Sequence, residues 1–382
     1  MEYVRLKDIG QIITGNTPPT SKPEYYGDYM PFIKATDIPI GVKCTLVTEQ
    51  SYSKLAAEKY KKSLVPKGST CVVTIGSIGK KMTYAHTDLF VNQAINAIVP
   101  KDSYDNEYIF YNVRCSVLPQ LKKLDSGTTS GRENISKTSF SSIRIPVIRD
   151  KNVQRRIGVI LSTYDSLIEN NTKRIRLLEK MAENLYKEWF VRFRFPGHEK
   201  VEMENGLPKG WNVKRYEDEL NIKYGKGLPT NRLTEDGFPV FGSNGQIGFY
   251  TSYMYDTPQI LISCRGASSG VVNISLPKSF VTNNSLVCEL TDKTESVFEY
   301  LKYYFLNTNL VQYQTGSAQP QITINNVVKL KMLVPSHEVQ CAFSKKIRVI
   351  DKEVANLQNQ NSLLARQRDL LLPRLMSGKL EI

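Results

Sequence analysis

The chain has little of what membrane, secreted and metal-binding proteins need. No run of eighteen apolar residues occurs, and the first residues carry no signal-peptide pattern, so we expect a cytoplasmic protein. Six cysteines are scattered without a Cys-x-x-Cys pair, which favours free thiols in a reducing compartment. The three histidines are too few and too scattered for a zinc site, so we expect no bound metal.

The motifs of common DNA enzymes are missing as well. No Asp-x-Lys or Glu-x-Lys triplet occurs, which excludes the usual carboxylate–lysine core of many nucleases. No Gly-Lys-Ser or Gly-Lys-Thr occurs, which excludes a phosphate-binding loop and an ATP-driven motor. We therefore expect a protein that is not an enzyme and that holds no cofactor itself.

Positive charge is in excess, with 51 Lys and Arg against 37 Asp and Glu and a formal net charge of +14. Such an excess favours a polyanionic partner, most simply nucleic acid. The excess is uneven, because acidic and basic side chains balance within residues 195–336. If that part of the chain binds DNA, it must do so with individually placed side chains rather than with a generally positive surface.

A repeated helical segment is the clearest feature that is present. A stretch near residues 153–190 returns at 339–376, and in both copies mostly apolar residues recur in steps of four and three. This spacing is that of a coiled-coil seam. The seam residues are Ile157, Leu161, Tyr164, Ile168, Asn171, Ile175, Leu178, Ala182, Leu185 and Trp189 in the first copy, and Phe343, Ile347, Ile350, Val354, Leu357, Asn361, Leu364, Arg368, Leu371 and Leu375 in the second.

Each helical segment follows a larger segment, here called a head, of short strands and turns. Short β-type runs bounded by Gly, Pro and Asp predict the strands, and helical spacing of apolar residues predicts one helix in each head. The predicted strands and helix are 29–35, 69–75, 96–99 and 106–123 in the first head, and 238–241, 259–264, 286–290 and 297–314 in the second.

The predicted fold class is α+β, with two pseudo-repeated heads of mixed helix and strand separated by two long antiparallel coiled-coil helices. Proline after a strand marks the entry to each long helix, at Pro146 and Pro335. The predicted domains are a first head at 1–150, a first long helix at 151–194, a second head at 195–336 and a C-terminal long helix at 337–382.

The order head, helix, head, helix predicts antiparallel pairing if the heads lie at opposite ends of a rod. Pairing the first seam residue of one helix with the last of the other sets Asn171 opposite Asn361, and Tyr164 opposite Arg368. Paired asparagines would fix the register, and the tyrosine ring would shelter the arginine. Alternatively, the asparagines are only polar residues at tolerated positions. The seam spans roughly 48 Å at ~1.5 Å per residue, enough to reach successive major-groove segments of DNA.

Short motifs at the borders of the long helices occur twice in the same order. They are Ile143–Pro146, Val153–Ile157, Asp165–Asn170, Leu185–Phe190 and Leu207–Trp211 in the first half, and Val334–Pro335, Glu338–Gln340, Ile350–Asp351 and Leu375–Leu380 in the second. Each motif alone is weak, but two copies with different heads between them form a specific pattern. In this layout the whole chain resembles the specificity subunits of type I restriction-modification systems.

The resemblance implies a non-catalytic DNA-binding subunit with two target-recognition domains. Each domain would read one half of a bipartite asymmetric site, and the helix pair would set the unread spacer between the halves. The implied partners are double-stranded DNA, two modification subunits and the restriction subunits. S-adenosylmethionine and the adenine-methylating site are expected on the modification subunits, and ATP and Mg²⁺ are likewise expected on partner subunits.

No motif identifies the DNA contacts, because the heads are the variable part of this family. Loop residues of the types that read base edges or hold phosphates are the candidates. They are Asn16, Thr17, Lys34, Thr36, Ser77, Lys80, Lys81, Asn92, Gln93, Ser130 and Arg132 in the first head, and Lys226, Asn231, Arg232, Ser243, Asn244, Arg265, Asn283, Asn284, Gln319 and Gln321 in the second. For any single candidate, a turn-stabilising or solvated polar residue is the simpler interpretation.

The sequence leaves a second function open, a non-catalytic coiled-coil scaffold whose heads bind other proteins. The two interpretations differ in where the amide-bearing and basic loops lie. A DNA-specificity subunit should present them along one face, whereas a protein scaffold has no such requirement.

Overall fold

The computed structural model describes residues 1–125, 133–316 and 319–380. It confirms the α+β class, because two heads of short strands are each followed by a long helix. The chain forms two compact units, Met1–Lys173 with Leu357–Ile382, and Arg174–Asn356. None of the described helices has an apolar stretch long enough to cross a membrane.

The first head has two sheets and a closing strand pair. Its opening strand Glu2–Arg5 pairs antiparallel with Arg144–Val147, so the head begins and ends at the same place. Thr70–Val73 is an inner strand, since all four of its residues are buried. In order of adjacency the strands are Gly10–Thr14, Ile95–Pro100, Thr70–Val73 and Met82–Tyr84 in one sheet, and Tyr26–Gly27, Gln50–Tyr52, Met30–Ile33 and Phe90–Val91 in the other.

Helices of the first head begin at residues that cap them. The side chains of Ser53, Asp105 and Ser136 each accept a hydrogen bond from a backbone N–H in the first turn that follows. The α-helices are Leu6–Ile9, Lys54–Lys59, Asn106–Ser116, Leu118–Leu121 and Lys137–Ser142, with 3-10 turns at Pro23–Tyr25, Lys61–Ser63 and Lys122–Leu124.

The second head repeats this plan. Its closing pair is Asn212–Arg215 with Lys331–Val334, again antiparallel. Its sheets, in order of adjacency, are Leu220–Tyr224, Ser285–Leu290, Ile260–Ser263 and Val272–Ile274, and then Gly245–Tyr250, Phe238–Gly242 and Phe280–Val281. The remaining elements are the strand pair Met203–Glu204 and Leu207–Pro208, the helices Tyr216–Glu219, Phe298–Leu306 and Ile324–Val327, and 3-10 turns at His198–Lys200, Thr230–Arg232 and Val311–Tyr313.

One predicted helix is shorter than expected. The helix predicted at 297–314 ends at Leu306. The side chains of Asn307 and Thr308 donate to the carbonyls of Tyr303 and Tyr304, at 2.8 and 2.7 Å. These bonds satisfy carbonyls that a continuing helix would otherwise use, so the polar residues after Leu306 end it.

The first long helix is Lys151–Tyr186, continued by a π-helical turn at Lys187–Val191, and the second long helix is His337–Met376. Within each unit the two helices pair antiparallel, as predicted. In the unit that contains the first head, Asn171 contacts Gln360 and Asp165 contacts Arg368. In the unit that contains the second head, Arg174 contacts Glu353, and the ring of Trp189 lies 5.8 Å from that of Phe343.

The core of the first head includes residues from both long helices. Ile157 and Leu161 come from the start of the first long helix, and Leu375 and Met376 come from the end of the second. All four are buried with head residues such as Phe110. Each such apolar side chain contributes about 1.5–3 kcal/mol when it is fully removed from water.

The core of the second head is completed in the same way, with aromatic rings. Phe190 follows the first long helix, and Phe343 lies near the start of the second. The ring of Phe190 lies 4.7 Å from that of Tyr300 in the head and 5.0 Å from that of Phe343, both edge-on. Edge-on rings at these distances add to the burial of their apolar area.

A buried glutamine ties each long helix to the head that precedes it. The side chain of Gln154 accepts from the backbone N–H of Asp105 at 2.8 Å and donates to the carbonyl of Ile148 at 2.7 Å. Gln340, at the matching place in the second long helix, accepts at 2.9 Å and donates at 2.8 Å in the same manner. Both are fully buried, so each amide must keep both bonds.

The seam residue Arg368 is buried beside an acid rather than a ring. It forms an ion pair with Asp165, and the two side chains are 3% and 5% exposed. The Tyr111 hydroxyl donates to the same carboxylate, and Asp369 accepts from Nε of Arg368 at 3.0 Å. We predicted that the ring of Tyr164 shelters Arg368, but the hydrogen bonds of the guanidinium go to Asp165 and Asp369. A guanidinium removed from water needs an opposite charge, which a ring does not supply.

Burial and the neighbouring acids shift the pKa values of Arg368 and Tyr111. Burial alone would lower the pKa of Arg368, but Asp369 and Asp165 raise it above its ordinary value. Burial and then the Asp165 carboxylate raise the pKa of Tyr111, so its hydroxyl stays protonated and donates. In the second long helix, Asp351 occupies the position of Asp165 in the repeat and pairs with Lys302 at 2.8 Å. Both long helices therefore carry an acid at this position, but its charge partner is a lysine of the head in one case and an arginine of the other long helix in the other.

Each seam asparagine bonds to a residue adjacent in sequence to the other asparagine. Asn171 donates to Gln360, and Asn361 donates to Thr172, each at 3.4 Å. Oδ1 of Asn361 is buried and has no hydrogen-bond partner within the described part of the chain. The two amides are thus engaged one residue away from the direct pairing, and their role in fixing the register stays a prediction.

Replacing Arg368 by Met should destabilise the unit that contains the first head. The change leaves the Asp165 carboxylate buried and unpaired, so we expect the free energy of unfolding to fall by about 3–5 kcal/mol. Urea unfolding followed by circular dichroism measures this loss. The control is Arg374→Met, an exposed arginine in the same helix, which should change stability by less than about 0.5 kcal/mol.

A second variant separates lost charge pairing from lost packing. Replacing both Asp165 and Arg368, by Leu and Met, removes the unpaired acid and should recover most of the stability. If Arg368→Met alone is no worse than the exposed control, the buried pair has no structural role.

Candidate nucleic-acid interface

Four loops of the first head meet along one edge of its sheets. They follow Thr14, Ile33, Val73 and Val91, the last residues of four strands. Backbone hydrogen bonds join them in sequence: Asn16 N to Val91 O at 2.9 Å, Asn92 N to Ile33 O at 3.0 Å, and Thr74 N to Ala94 O at 2.8 Å. The loops therefore form one continuous ledge, here called the first ledge.

Gly15 allows the closest approach within the first ledge. A Cβ at this position would lie 2.1 Å from the carbonyl oxygen of Val91 and 2.2 Å from that of Asn92. No real Cβ tolerates such a contact with a backbone oxygen, so only glycine permits this packing. The glycine brings Asn16 and Thr17 against Gln93, whose side chain is hydrogen-bonded to the Thr17 hydroxyl.

Several candidate side chains on the first ledge are already engaged within the protein. Lys34 pairs with Glu49, and Nζ of Lys81 donates to the carbonyl of Ala35 at 3.0 Å. These lysines hold loops together, and the charge of Lys34 is partly cancelled. By contrast, Asn16, Thr36, Ser77 and Lys80 are exposed along the ledge.

The second head has a matching ledge, here called the second ledge. Lys226 N bonds to Val281 O, Thr282 N to Phe241 O, and Cys264 N to Asn284 O, each at 2.9 Å. Gly225 repeats the close approach of Gly15, since a Cβ there would lie 2.3 Å from the carbonyl oxygen of Thr282. The two heads thus share a backbone arrangement and differ in the side chains it carries.

Side chains of the second ledge are also held in place. The hydroxyl of Ser243 donates to the carbonyl of Asn284 at 3.1 Å, and Asn244 accepts from the hydroxyl of Ser268. Arg265 lies opposite Gln321 in an isolated backbone bridge, and both side chains are exposed. An exposed guanidinium beside an exposed amide can donate to, and accept from, a partner at the same time.

The charge of Arg265 affects the pKa of the buried thiol of Cys264, the residue before it. Burial raises the pKa of Cys264, and the nearby guanidinium opposes this rise. The thiol therefore stays neutral beneath the ledge. The positive charge of Arg265 lies outside, where solvent or a ligand can reach it.

The structure brings most of the sequence candidates to these two ledges. Asn231 and Arg232 do not belong to them, because they lie in the 3-10 turn Thr230–Arg232 beside the outer strand that contains Phe249. Ser130 and Arg132 lie outside the described residues. The candidates on the ledges are Asn16, Thr17, Lys34, Thr36, Ser77, Lys80, Lys81, Asn92 and Gln93 in the first head, and Lys226, Ser243, Asn244, Arg265, Asn283, Asn284, Gln319 and Gln321 in the second.

Sequence reasoning missed Asn134, the counterpart of Gln321. Asn134 forms the bridge to Ile75 that Gln321 forms to Arg265, and the residue after each bonds back to the same strand end. A short motif could have revealed the match, since Asn-Ile-Ser at 134–136 parallels Gln-Ile-Thr at 321–323. Each Ser or Thr then precedes a short helix.

The described part of the chain contains no group of three or more His, Cys, Asp or Glu side chains that could hold a metal ion. What the ledges carry instead is hydroxyls, amides and cations on a backbone shared by two heads. A duplicated α+β head, mounted on paired long helices and presenting such loops twice, defines a two-headed recognition scaffold.

Comparison with known proteins gives the family. The sequence matches the family described as "Type I restriction modification DNA specificity domain" over residues 1–180 and again over 208–365. The chain belongs to this family, and with two copies of the domain it is a specificity subunit with two target-recognition domains, the non-catalytic part of such a system. The resemblance noted from the short motifs is therefore confirmed.

Individual relatives agree with this assignment. The chain is 26% identical to the type I restriction enzyme MjaIX specificity subunit of Methanocaldococcus jannaschii, covering 99% of this chain and 93% of that protein. It is 32% identical to the HindI specificity subunit of Haemophilus influenzae over 47% of this chain and 38% of that protein. The fold resembles the crystal structure of a type I S subunit from M. genitalium, with a TM-score of 0.58, 18% identity and coverage of 98% and 95%.

Replacing Gly225 by Ala should disrupt the second ledge without unfolding its head. The added Cβ would clash with the carbonyls of Thr282 and Val281, so the loop must shift. We expect binding of the cognate duplex to weaken at least ~10-fold, equivalent to ~1.4 kcal/mol. Fluorescence anisotropy with the assembled complex measures the affinity.

Gly227 is the matched control, two residues along the same loop. A Cβ at Gly227 meets nothing within 4 Å, so Gly227→Ala should bind like the wild type. Equal affinities for the Gly225 and Gly227 variants would show that the close packing of the ledge does not matter for recognition.

Proposed function

We propose that each head reads one half of a bipartite, asymmetric DNA site and that this chain selects the sequence for a type I complex. The observation that carries the proposal is the repeated ledge, in which one backbone arrangement presents different side chains in the two heads. A shared geometry suits a common ligand, the DNA duplex. Different side chains suit different base sequences, which makes the site asymmetric.

Side-chain chemistry suggests how the ledges divide their work. Exposed Arg265 suits a bidentate contact with guanine, and exposed Gln321 suits adenine. Lys80 and Lys226, also exposed, suit phosphates, which position a protein on DNA without reading its sequence. Because acidic and basic side chains balance within residues 195–336, the second head needs individually placed contacts of this kind to bind DNA.

We further propose that the paired long helices set the unread spacer between the half-sites. Each long helix contributes residues to the cores of both heads, so the helical residues between those cores are not free to stretch. An α-helix rises ~1.5 Å per residue, and its length is therefore a fixed distance. The proposed domains are a first target-recognition domain at 1–150, a helix at 151–194, a second target-recognition domain at 195–336 and a helix at 337–382.

The partners follow from the same proposal. The curated relatives are named as specificity subunits of type I restriction enzymes, which supports assembly of this chain with modification and restriction subunits. In that assembly, two modification subunits would supply S-adenosylmethionine and adenine methylation, and the restriction subunits would use ATP and Mg²⁺. The complex would act in the cytoplasm, on the DNA of the cell.

Replacing Arg265 by Ala tests base reading. If the guanidinium contacts a base, specific binding should weaken by ~1–3 kcal/mol while non-specific binding changes little. Titrations of the assembled complex against cognate and scrambled duplexes at the same salt concentration measure both affinities. Arg232→Ala, an exposed arginine of the same head away from the ledge, is the control and should leave both affinities unchanged.

Equal losses on cognate and scrambled DNA would instead make Arg265 a phosphate contact. No loss on either duplex would remove it from the interface. Both outcomes leave the other ledge residues to be tested in the same way.

Lengthening both helices tests the spacer. Seven residues inserted between Lys173 and Arg174, and seven between Gln358 and Asn359, keep the heptad pattern and add ~10 Å. The recognised spacer should then grow by about three base pairs, at ~3.4 Å each. Genome-wide mapping of methylated adenines in cells that express the variant measures the spacer directly.

A four-residue insert at the same two places is the control, because it rotates the seam and breaks the heptad pattern. This control should lose activity rather than shift the spacer. A seven-residue variant that methylates the original motif with its original spacer would show that the helices do not set the distance.

A further inference from the structure

The first head carries an excursion that the second head lacks. Residues 34–49 connect the strand Met30–Ile33 to its antiparallel neighbour Gln50–Tyr52. In the second head, the corresponding strands Phe238–Gly242 and Gly245–Tyr250 are joined by Ser243 and Asn244 alone. The shared fold therefore does not require the additional chain of the first head.

The excursion is fixed to the head at several points. At its start, the backbone N–H of Lys34 donates to the carboxylate of Asp37 at 2.8 Å, and Ile38 is fully buried in the core. Further along, Lys43 pairs with Glu107 at 2.5 Å. A segment held in this way presents its tip in a defined place and loses little entropy when a ligand binds.

The parts between these anchors expose apolar side chains to solvent. Ile40 is 65% exposed and Val42 48%, on either side of Gly41, whose φ of +79° makes a tight turn. Leu46 and Val47 are exposed as well. These four aliphatic side chains of one short excursion, here called the patch, are therefore accessible to a partner.

The turn borders the first ledge. Ile40, Gly41 and Val42 line a small cleft together with Lys80, a ledge residue, and with Arg114. Nζ of the neighbouring residue, Lys81, bonds to the carbonyl of Ala35 at the start of the excursion. The apolar tip thus lies beside the exposed cation Lys80 and beside the loops that we assign to DNA.

We propose that Ile40 is an apolar wedge that inserts between neighbouring base pairs of the half-site read by the first head, with Val42 supporting it. This inference rests on the proposed function. Proteins that kink DNA frequently insert an apolar side chain between base steps and place basic or amide side chains in the groove beside it. Ile40 with Lys80 alongside supplies both parts on an anchored turn.

The residues that surround the patch favour DNA over a protein as its partner. Lys80 at the cleft is exposed and suits a polyanion, whereas Arg114 is paired with Asp369 at 3.3 Å. The patch also continues the first ledge, because Lys81 of the ledge bonds to Ala35 at the start of the excursion. Because the second head has only the two-residue connection, unstacking should occur at one half-site alone. The target would then be asymmetric in its shape as well as in its bases.

The experiment uses the full chain assembled with its modification subunits, and duplexes in which 2-aminopurine replaces single bases across the first half-site. The base analogue fluoresces more strongly when it is unstacked. With the wild type, one step outside the methylated adenine should brighten on binding. With Ile40→Ser, that signal should be lost and affinity for the cognate duplex should fall about tenfold, because the energy of insertion is lost.

Two further variants control for the loss of any aliphatic side chain at position 40 and for the loss of an exposed leucine elsewhere. Ile40→Leu keeps an aliphatic wedge and should restore both the signal and the affinity. Leu276→Ser, an exposed leucine of the second head, should change neither.

Each contrary result overturns the wedge in a recognisable way. Unchanged fluorescence and affinity in Ile40→Ser would show that the residue does not touch DNA. Unchanged fluorescence with weaker assembly would show that the patch contacts a protein subunit instead. Failure of the wild-type complex to prefer the cognate duplex would contradict the proposed function itself, which is a separate outcome.

Discussion

The shared burial of the long helices is the constraint on which the rest of this structure depends. Each helix has one end in the core of one head and the other end in the core of the other. Trp189 and Phe190 cannot leave the second core, nor Ile157 and Leu161 the first, without exposing large apolar surfaces. Each helix therefore contributes to the core of both heads.

Polar contacts fix the register of the long helices against the heads. Gln154 and Gln340 use both ends of a buried amide to hold a helix start to its head, and a one-residue slip would break both bonds. The buried pair of Asp165 and Arg368 adds a charge match that only one alignment of the helices satisfies. Apolar packing thus supplies most of the stability, and we expect these few buried polar groups to disfavour other registers of the helices.

The sequence was enough to predict what repeats. Coiled-coil spacing predicted both long helices and their antiparallel pairing, and short apolar runs between turn residues predicted the inner strands such as Thr70–Val73. It could not predict what depends on distant contacts. Arg368 was assigned a ring because the seam predicts only opposite positions, whereas its acid lies one residue from the seam, at Asp165.

The ledges show the same limit. Residue type and loop position were enough to select most of the ledge side chains. The equivalence of Gly15 and Gly225, by contrast, is visible only in their backbone contacts and not in the sequence around them. Asn134 was missed although Asn-Ile-Ser at 134–136 parallels Gln-Ile-Thr at 321–323, and Arg232 lies in a 3-10 turn away from the second ledge. Loops of different length on a common backbone hide their correspondence until the hydrogen bonds are known.

We propose that this one chain couples two different reading heads at a fixed spacing on the DNA. Genome-wide mapping of adenine methylation by the complex that contains this chain tests it most directly. We predict a single motif with two unlike specific halves, separated by a spacer of fixed length in which any base is accepted. A contiguous motif, two identical halves, or a spacer that varies from site to site would contradict it.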